Sequence, residues 1–428
     1  MCGAVGFPAA EDAGYVTGVG LRVTAGWRCD ERSEKMSYSD DPVVLVSGVR
    51  TAIGRFGGGL ARLDAYQYAA KCIEEALVRA GIEPSEVDEV VMGMVGQAGP
   101  DAYNARRCAL AAGIPSSATA LTVNRLCSSG LQAIVNGVQQ ILLGDARIVV
   151  AGGNESMSRQ PFLDFQARDG MQLGHHSLQD GTLTLLEDPW GHFLMGETAE
   201  RVADRWNVTR EQQDEFALLS QQRSETAIAA GWYEQEILPI TVPKATEPFA
   251  RDEHPRPGTT LESLAALRPA FREDGTVTAG NASGINDGAA AVVLMRESEA
   301  RSRGITPRLR FRSWAVSGID HDVMGYAPTY AIPKAVEKAG LTLGDLDLIE
   351  LNEAFAAQSV PIVRDLGLDL AKVNVGGGAI ALGHPVGATG AILTVKLMHL
   401  LERFDARIGM VTMCIGGGQG MAAVFERP

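Results

Sequence analysis

KCIEEALVRAGIEPSEVDEVVMG, residues 71–93, and KAVEKAGLTLGDLDLIELNEAF, residues 334–355, decide the fold when laid side by side. Each reads as an amphipathic helix, an Ala-Gly stop, a short acidic linker and an apolar strand. The match continues downstream. LLGDARIVVAGGNES (Leu142–Ser156) and LLERFDARIGMVTMCIGGGQG (Leu400–Gly420) share a helix end, the run Asp-Ala-Arg-Ile, an apolar strand and glycines. DGAAAVVLMRES (Asp287–Ser298) and QGMAAVFERP (Gln419–Pro428) close the series. Three matches in one order indicate an internal duplication, and the short apolar strands suit sheets covered by helices on both faces.

The halves differ by one insertion of 130 residues, 157–286, which has no counterpart in the second half. It holds a helix expected over Glu197–Ala230 and a Pro-rich, loop-like stretch, Pro239–Pro257. An excursion of that size usually binds something or covers a site. The expected architecture is two similar mixed α/β halves packed as a pseudo-dimer. The first half takes 39–156 and 287–298, the inserted domain 157–286, and the second half 299–428. Residues 1–38 form an extension that resembles neither a signal peptide nor a transit peptide. Met36, just before a strand expected at Val43–Ser47, is read as the start of the native chain.

Composition narrows the function. The chain has 428 residues, too many for one small core, with 46% hydrophobic and 21% charged residues. A formal net charge of -14 argues against a general nucleic-acid or membrane-surface binder. It leaves room for an anionic ligand held by a few local arginines. Six cysteines (Cys2, Cys29, Cys72, Cys108, Cys127, Cys414) lack CxxC spacing and read as reduced thiols in a cytoplasmic protein. No apolar run approaches the roughly 18 residues that would span a bilayer. His175 and His176 are adjacent, with no ligand spacing after them, so no metal site is expected.

Four segments carry chemistry. Cys127, in Asn124-Arg-Leu-Cys-Ser-Ser-Gly130, directly precedes an apolar-periodic helix, where unpaired amides and the helix dipole favour a thiolate. Taken alone, the segment equally suits a buried structural thiol. His384 sits in Gly376-Gly-Gly-Ala-Ile-Ala-Leu-Gly-His-Pro-Val-Gly-Ala-Thr-Gly390, again ahead of a helix, and the duplication could bring it towards Cys127 as a base. A histidine in such a loop is more often a turn residue. Cys414 ends an apolar strand and opens Ile415-Gly-Gly-Gly-Gln-Gly420, whose amides could form an oxyanion hole. By itself it is more often a core residue. Asn352, in Asn352-Glu-Ala-Phe-Ala356, could hold a water or a carbonyl, or simply cap a helix.

Together the blocks NRLCSSG, NASGINDGAA (Asn281–Ala290), NEAFA, GGAIALGHPVGATG and CIGGGQG, in that order, resemble the signature blocks of the thiolase family. The likeness runs from about Asp41 to the C-terminus. It implies a layered αβαβα fold with a loop domain inserted in the first half. It also implies reversible thiolytic cleavage of a 3-ketoacyl-CoA to acetyl-CoA and acyl-CoA, by a ping-pong route through an acylated Cys127. His384 matches the base that activates Cys127, and Cys414 the second acid/base. Asn352, through a water, and His384 match one oxyanion hole; the amides of Cys127 and Gly416 match the other. Arg256, Ser263, Ala279 and Ser283 fall where the family contacts CoA. Met195, Met324, Ala354 and Phe355 complete the substrate-binding set.

The resemblance further implies CoA thioesters as substrates with no permanently bound cofactor, a homodimer or homotetramer, and a place in fatty-acid metabolism such as β-oxidation. Two departures stand out. Leu194-Met195-Gly196 replaces the His-Met-Gly of many short-chain members, with His192 nearby. Met324-Gly-Tyr-Ala-Pro-Thr-Tyr330 puts Tyr326 and Tyr330 beside the expected acyl pocket. The alternatives are a carrier-protein-dependent condensing enzyme of the ketoacyl-synthase kind, which usually lacks the second cysteine, and a non-catalytic protein on the same fold.

Overall fold

The computed structural model describes residues 41–428 apart from 171 and 172, so Met36 and the extension before Asp41 lie outside the described residues. Nine strands form the path of one sheet. They are β1 (Val43–Thr51), β2 (Glu89–Gly93), β3 (Thr119–Val123), β4 (Val149–Ser156), β5 (Asn286–Arg296), β6 (Leu309–Gly318), β7 (Leu348–Leu351), β8 (Ile408–Ile415) and β9 (Gln419–Glu426). Their order across the sheet is β7-β8-β9-β6-β1-β5-β4-β2-β3, and two further short strands pair with the ends of β1 and β5.

Read outward from the centre, the halves run β1-β5-β4-β2 and β6-β9-β8-β7, the same plan twice. The duplication extends to single hydrogen bonds. Asp88 accepts the amides of Arg147 and Ile148 at 2.8 and 3.0 Å; Asp347 accepts those of Arg407 and Ile408 at 2.9 and 2.8 Å. Ser47 donates to the Ala76 carbonyl and Ser313 to that of Ala335, both at 2.6 Å. Each first strand shifts register just before that serine.

The two similar halves are joined edge to edge in one sheet, a junction the sequence does not mark. β1 and β6 pair antiparallel through Val44–Arg310 and Leu45–Leu309, making one sheet of eleven strands. The layering nevertheless follows. The helices Ser129–Leu143 and Thr389–Arg403 pack on each other in an apolar core that includes strands of both halves. Outer helices Ala65–Ala80 and Pro328–Lys338 cover the far face of each half with their own cores.

Between β4 and β5, the helix expected over Glu197–Ala230 is two helices, Met195–Trp206 and Arg210–Ala229. Asn207 adopts the left-handed conformation (φ 53°) that ends the first. Thr209 then caps the second in a reciprocal box with Gln212. Continuous apolar periodicity hid that break.

The two inner helices meet end to end because neither has a side chain at the crossing. A Cβ on Gly130 would stand 2.8 Å from the Ala391 nitrogen, and one on Gly390 would press into the Leu131 backbone. Gly390→Ala is therefore expected to force the helix starts apart and destabilise the protein by about 1–3 kcal/mol, the usual cost of overpacking. Denaturant unfolding checks it; a variant as stable as wild type would show that the crossing has slack.

Candidate active site

The loop after β3 turns sharply to deliver Cys127. Asn124 Oδ1 accepts the Leu126 amide at 2.9 Å, and Leu126 takes a positive φ of 47°, uncommon for a residue with a side chain. Ser129 Oγ accepts the Arg125 amide at 2.9 Å and donates to the Leu126 carbonyl at 2.6 Å, fixing the loop to the first turn of the helix. The half-buried sulfur of Cys127 meets its own backbone amide and that of Gly416. Burial pushes the thiol up to about 11, those amides pull it down, and the charge of Glu155 raises it again. Burial thus opposes the thiolate that the helix start favours.

His384 arrives from the opposite half. Its backbone N–H donates to Asn286 Oδ1 at 2.9 Å, and Asn286 Nδ2 donates to the Gly54 carbonyl at 3.0 Å. Gly383 permits this approach: it has a φ of 106°, and a Cβ there would lie 2.6 Å from the Asn286 side chain. The imidazole is buried, with Nδ1 2.6 Å from Thr389 Oγ1 and Nε2 3.4 Å from Asn352 Nδ2. Burial holds it down at about 4, so the ring is neutral at ordinary pH.

Cys414 is the penultimate residue of β8, opposite Gly420. Burial pushes its thiol up to about 12; the neighbouring Cys127 sulfur adds to this and the Gln358 side chain opposes it. Gln358 Nε2 also donates to the Asn352 carbonyl at 3.2 Å, while Asn352 Oδ1 is buried without a hydrogen-bond partner. Cys127, Gly416, His384, Asn352 and Cys414 thus form one connected set, supplied by both halves.

Four supporting residues escaped sequence reasoning: Gln358, Thr389, Asn286 and Glu155. Glu155 is fully buried and accepts the amides of Val95 (2.9 Å), Gly96 (3.1 Å) and Gly387 (2.9 Å), joining the His384 loop to the first half. Burial pushes its carboxyl up to about 7 against those three amides. An acid at the end of an apolar strand was the available signal. Asn286 and Thr389 are polar residues inside the motif blocks, and Gln358 lies two residues beyond NEAFA, each without a local mark of its own.

A cleft of about 330 Å³ opens onto Cys127 and is lined by Gly416, Met195, Leu126, Leu186 and Trp190 among others. Met324, Ala354 and Phe355 pack with Cys414 in a small apolar core, not along that cleft. Arg256, Ser263, Ala279 and Ser283 do not line it either. Arg256 and Ala279 are exposed, and Ser263 is engaged in a capping box with Thr260. Ser283 donates its amide to the Ala354 carbonyl at 2.9 Å, tying its loop to the site.

The two tyrosines turn away from the reacting groups. Tyr326 donates to Asp365 at 2.8 Å and stacks on Trp206 at 4.0 Å; Tyr330 packs edge-on against Tyr326 and is half exposed. His192 is exposed and pairs with Glu187. Among the described residues no group of three His, Cys, Asp or Glu could hold a metal ion, and no helix is long and apolar enough to cross a membrane.

The chain resembles known proteins along most of its length. The sequence profile of the thiolase N-terminal domain matches residues 43–298 and that of the thiolase C-terminal domain residues 305–427. The chain is 51% identical to beta-ketothiolase BktB of Cupriavidus necator, over 90% of this chain and 99% of that protein. It is 48% identical to an acetyl-CoA acetyltransferase of Allochromatium vinosum, over 91% of this chain and 100% of that one. Among solved structures it resembles the Bacillus anthracis acetyl-CoA acetyltransferase, with a TM-score of 0.89, 46% identity, and coverage of 91% and 99%. It also resembles human mitochondrial 3-ketoacyl-CoA thiolase in complex with CoA, with a TM-score of 0.88, 44% identity, and coverage of 91% and 98%. The chain belongs to the thiolase family and is an acyltransferase of that family.

Proposed function

We propose that this thiolase cleaves a 3-ketoacyl-CoA with free CoA, reversibly, through an acyl group carried on Cys127. The observation that carries the reading is the convergence on one sulfur of two backbone amides, those of Cys127 and Gly416, in a site shared with a second thiol and a buried neutral histidine. Cys127 Sγ attacks the C3 carbonyl carbon while its proton passes to His384, and the two amides hold the developing oxyanion. The C2–C3 bond breaks, leaving its electron pair as the enolate of acetyl-CoA, which Asn352 and His384 stabilise. Cys414 gives its proton to C2. In the second half-reaction the Cys414 thiolate takes the CoA proton, CoA sulfur attacks the acyl carbon, and His384 returns a proton to Cys127.

Thiol and imidazole both rest neutral, so proton transfer accompanies attack instead of preceding it. That keeps the nucleophile protonated until a carbonyl is present. Arg256 and Ser263, with Ala279 and Ser283, are assigned to the nucleotide and pantetheine of CoA, and Met195, Met324, Ala354 and Phe355 to the substrate's reacting end. A homodimer or homotetramer, a cytoplasmic setting and a role in fatty-acid metabolism complete the proposal. A carrier-protein-dependent condensing enzyme is not favoured, because relatives such as the Allochromatium vinosum protein are named as acetyl-CoA enzymes and Cys414 is present.

Cys127→Ala is expected to abolish both acyl-enzyme and turnover, read by mass spectrometry and by thiolysis of 3-ketoacyl-CoA esters of increasing chain length. Turnover surviving at near wild-type rates would remove Cys127 from the nucleophile's role. Cys414→Ser should still be acylated by acetyl-CoA yet fail to exchange the carbon–carbon bond, and normal condensation by it would refute the second role. Alkylation of Cys127 in the free enzyme by iodoacetamide should quicken about tenfold per pH unit from neutrality towards the thiol's raised value. A plateau below pH 7 would instead reveal a resting thiolate–imidazolium pair.

A further inference from the structure

The neutral imidazole of His384 has one proton and two nitrogens that could carry it. Nε2 lies 3.4 Å from Asn352 Nδ2, at the outer limit of a hydrogen bond, whereas Nδ1 lies 2.6 Å from Thr389 Oγ1, the closer contact and the one that places the ring proton. That hydroxyl's own hydrogen is directed elsewhere, to the Pro385 carbonyl 2.9 Å away, which can only accept. The chain of donors runs from Nδ1–H to Oγ1 and from Oγ1–H to the Pro385 oxygen.

The duplicated half provides an independent observation. Thr389 and Ser129 each stand sixteen residues before the aspartate of the shared Asp-Ala-Arg-Ile run, and each opens its inner helix. Ser129 Oγ donates to the Leu126 carbonyl and accepts the Arg125 amide, a group that has no other role than donor. In both halves, therefore, the first-turn hydroxyl gives its hydrogen to a loop carbonyl and accepts an N–H from the loop that carries the chemistry.

We propose that Thr389 is the positioning residue that fixes the Nδ1-protonated tautomer of His384, leaving Nε2 as the atom that takes the Cys127 proton. The inference rests on the thiolase reading and refines it. As the Cys127 sulfur bonds to the substrate carbonyl carbon, its proton moves to Nε2, the ring becomes an imidazolium, and Nδ1–H continues to donate to Thr389. Among the described residues no carboxylate hydrogen-bonds this ring. A hydroxyl on a helix therefore does the orienting that a carboxylate does in many histidine-activated nucleophiles.

Thr389→Val keeps the shape and cannot accept a hydrogen bond; Thr389→Ser keeps the hydroxyl. Single-turnover acylation of Cys127, steady-state kinetics and unfolding temperature would be measured for both. The valine variant should acylate roughly 10- to 100-fold more slowly, as expected for one lost buried hydrogen bond, with its KM for CoA unchanged. The serine variant should acylate within about threefold of wild type, since its hydrogen bond is retained. In wild type labelled with ¹⁵N-histidine, the His384 signal, identified by its absence in His384→Asn, should show a protonated Nδ1 and an unprotonated Nε2 at pH 7. That spectrum needs no valine variant, so a misfolded one leaves the proposal open to refutation. A valine variant as fast as wild type, a serine variant as slow as valine, or a protonated Nε2 in wild type would overturn it. A wild type that forms no acyl-Cys127 at all would overturn the functional reading instead.

Discussion

The site exists because two helix N-termini can touch. Gly130 and Gly390 occupy equivalent first-turn positions of the inner helices, and each lies where a methyl group would strike the other helix's backbone. Gly153 extends the contact, since a side chain there would run into Gly387 and Ala388. With no side chains between them, the two loops that precede these helices, one holding Cys127 and the other His384, are brought to the same place. Glycine's lack of a side chain here serves close approach, not an unusual dihedral angle.

Loops that meet this closely expose backbone amides, and buried acids satisfy them. Glu155 collects three amides from both halves. Glu353, beside Asn352, accepts Ser220 of the inserted segment at 2.6 Å, Asn374 at 2.7 Å and the Ile380 amide at 3.2 Å. Lys396 on the His384 helix pairs with Glu350 at 2.9 Å and donates to the Gly377 carbonyl at 2.8 Å. None of these groups reacts. Each fixes a loop whose geometry the chemistry requires, and removal of a single partner would strand a buried charge. Burial raises the thiols of Cys127 and Cys414 and lowers His384, which disfavours charge on all three, while these carboxylates lie one layer away.

Much of this was legible in the chain. Repeated helix–strand patterns gave the plan of each half, because burial on both faces leaves apolar runs whose order can be compared. The motif blocks located Cys127, His384, Asn352, Cys414 and Gly416. What was not legible depends on three-dimensional proximity. The β1–β6 junction rests on two residue pairs with no local mark. The break at Asn207 needs a backbone dihedral angle that composition does not specify. The thiol's raised value follows from exclusion of water by residues distant in sequence, whereas the helix start that argued for a thiolate is visible locally. Tyr326 and Tyr330 look like pocket residues by position, yet Asp365 and Trp206, far along the chain, turn Tyr326 aside and Tyr330 packs against it.

The near-symmetry of the halves has a consequence for how such a site could arise. Counted from the helix starts, Cys127 corresponds to Gly387, and His384 to Asn124. A side chain at position 387 would stand 2.5 Å from the Glu155 carboxylate and 2.9 Å from the Met94 backbone, so a second cysteine has nowhere to go. A pair of identical halves would have offered two nucleophiles to a point with room for one. Within one chain the two halves differ at this point, one placing the thiol and its turn there, the other a glycine, with the histidine three residues earlier. Division of labour between the duplicated halves follows here from steric room, and it leaves a single centre for every two copies of the plan.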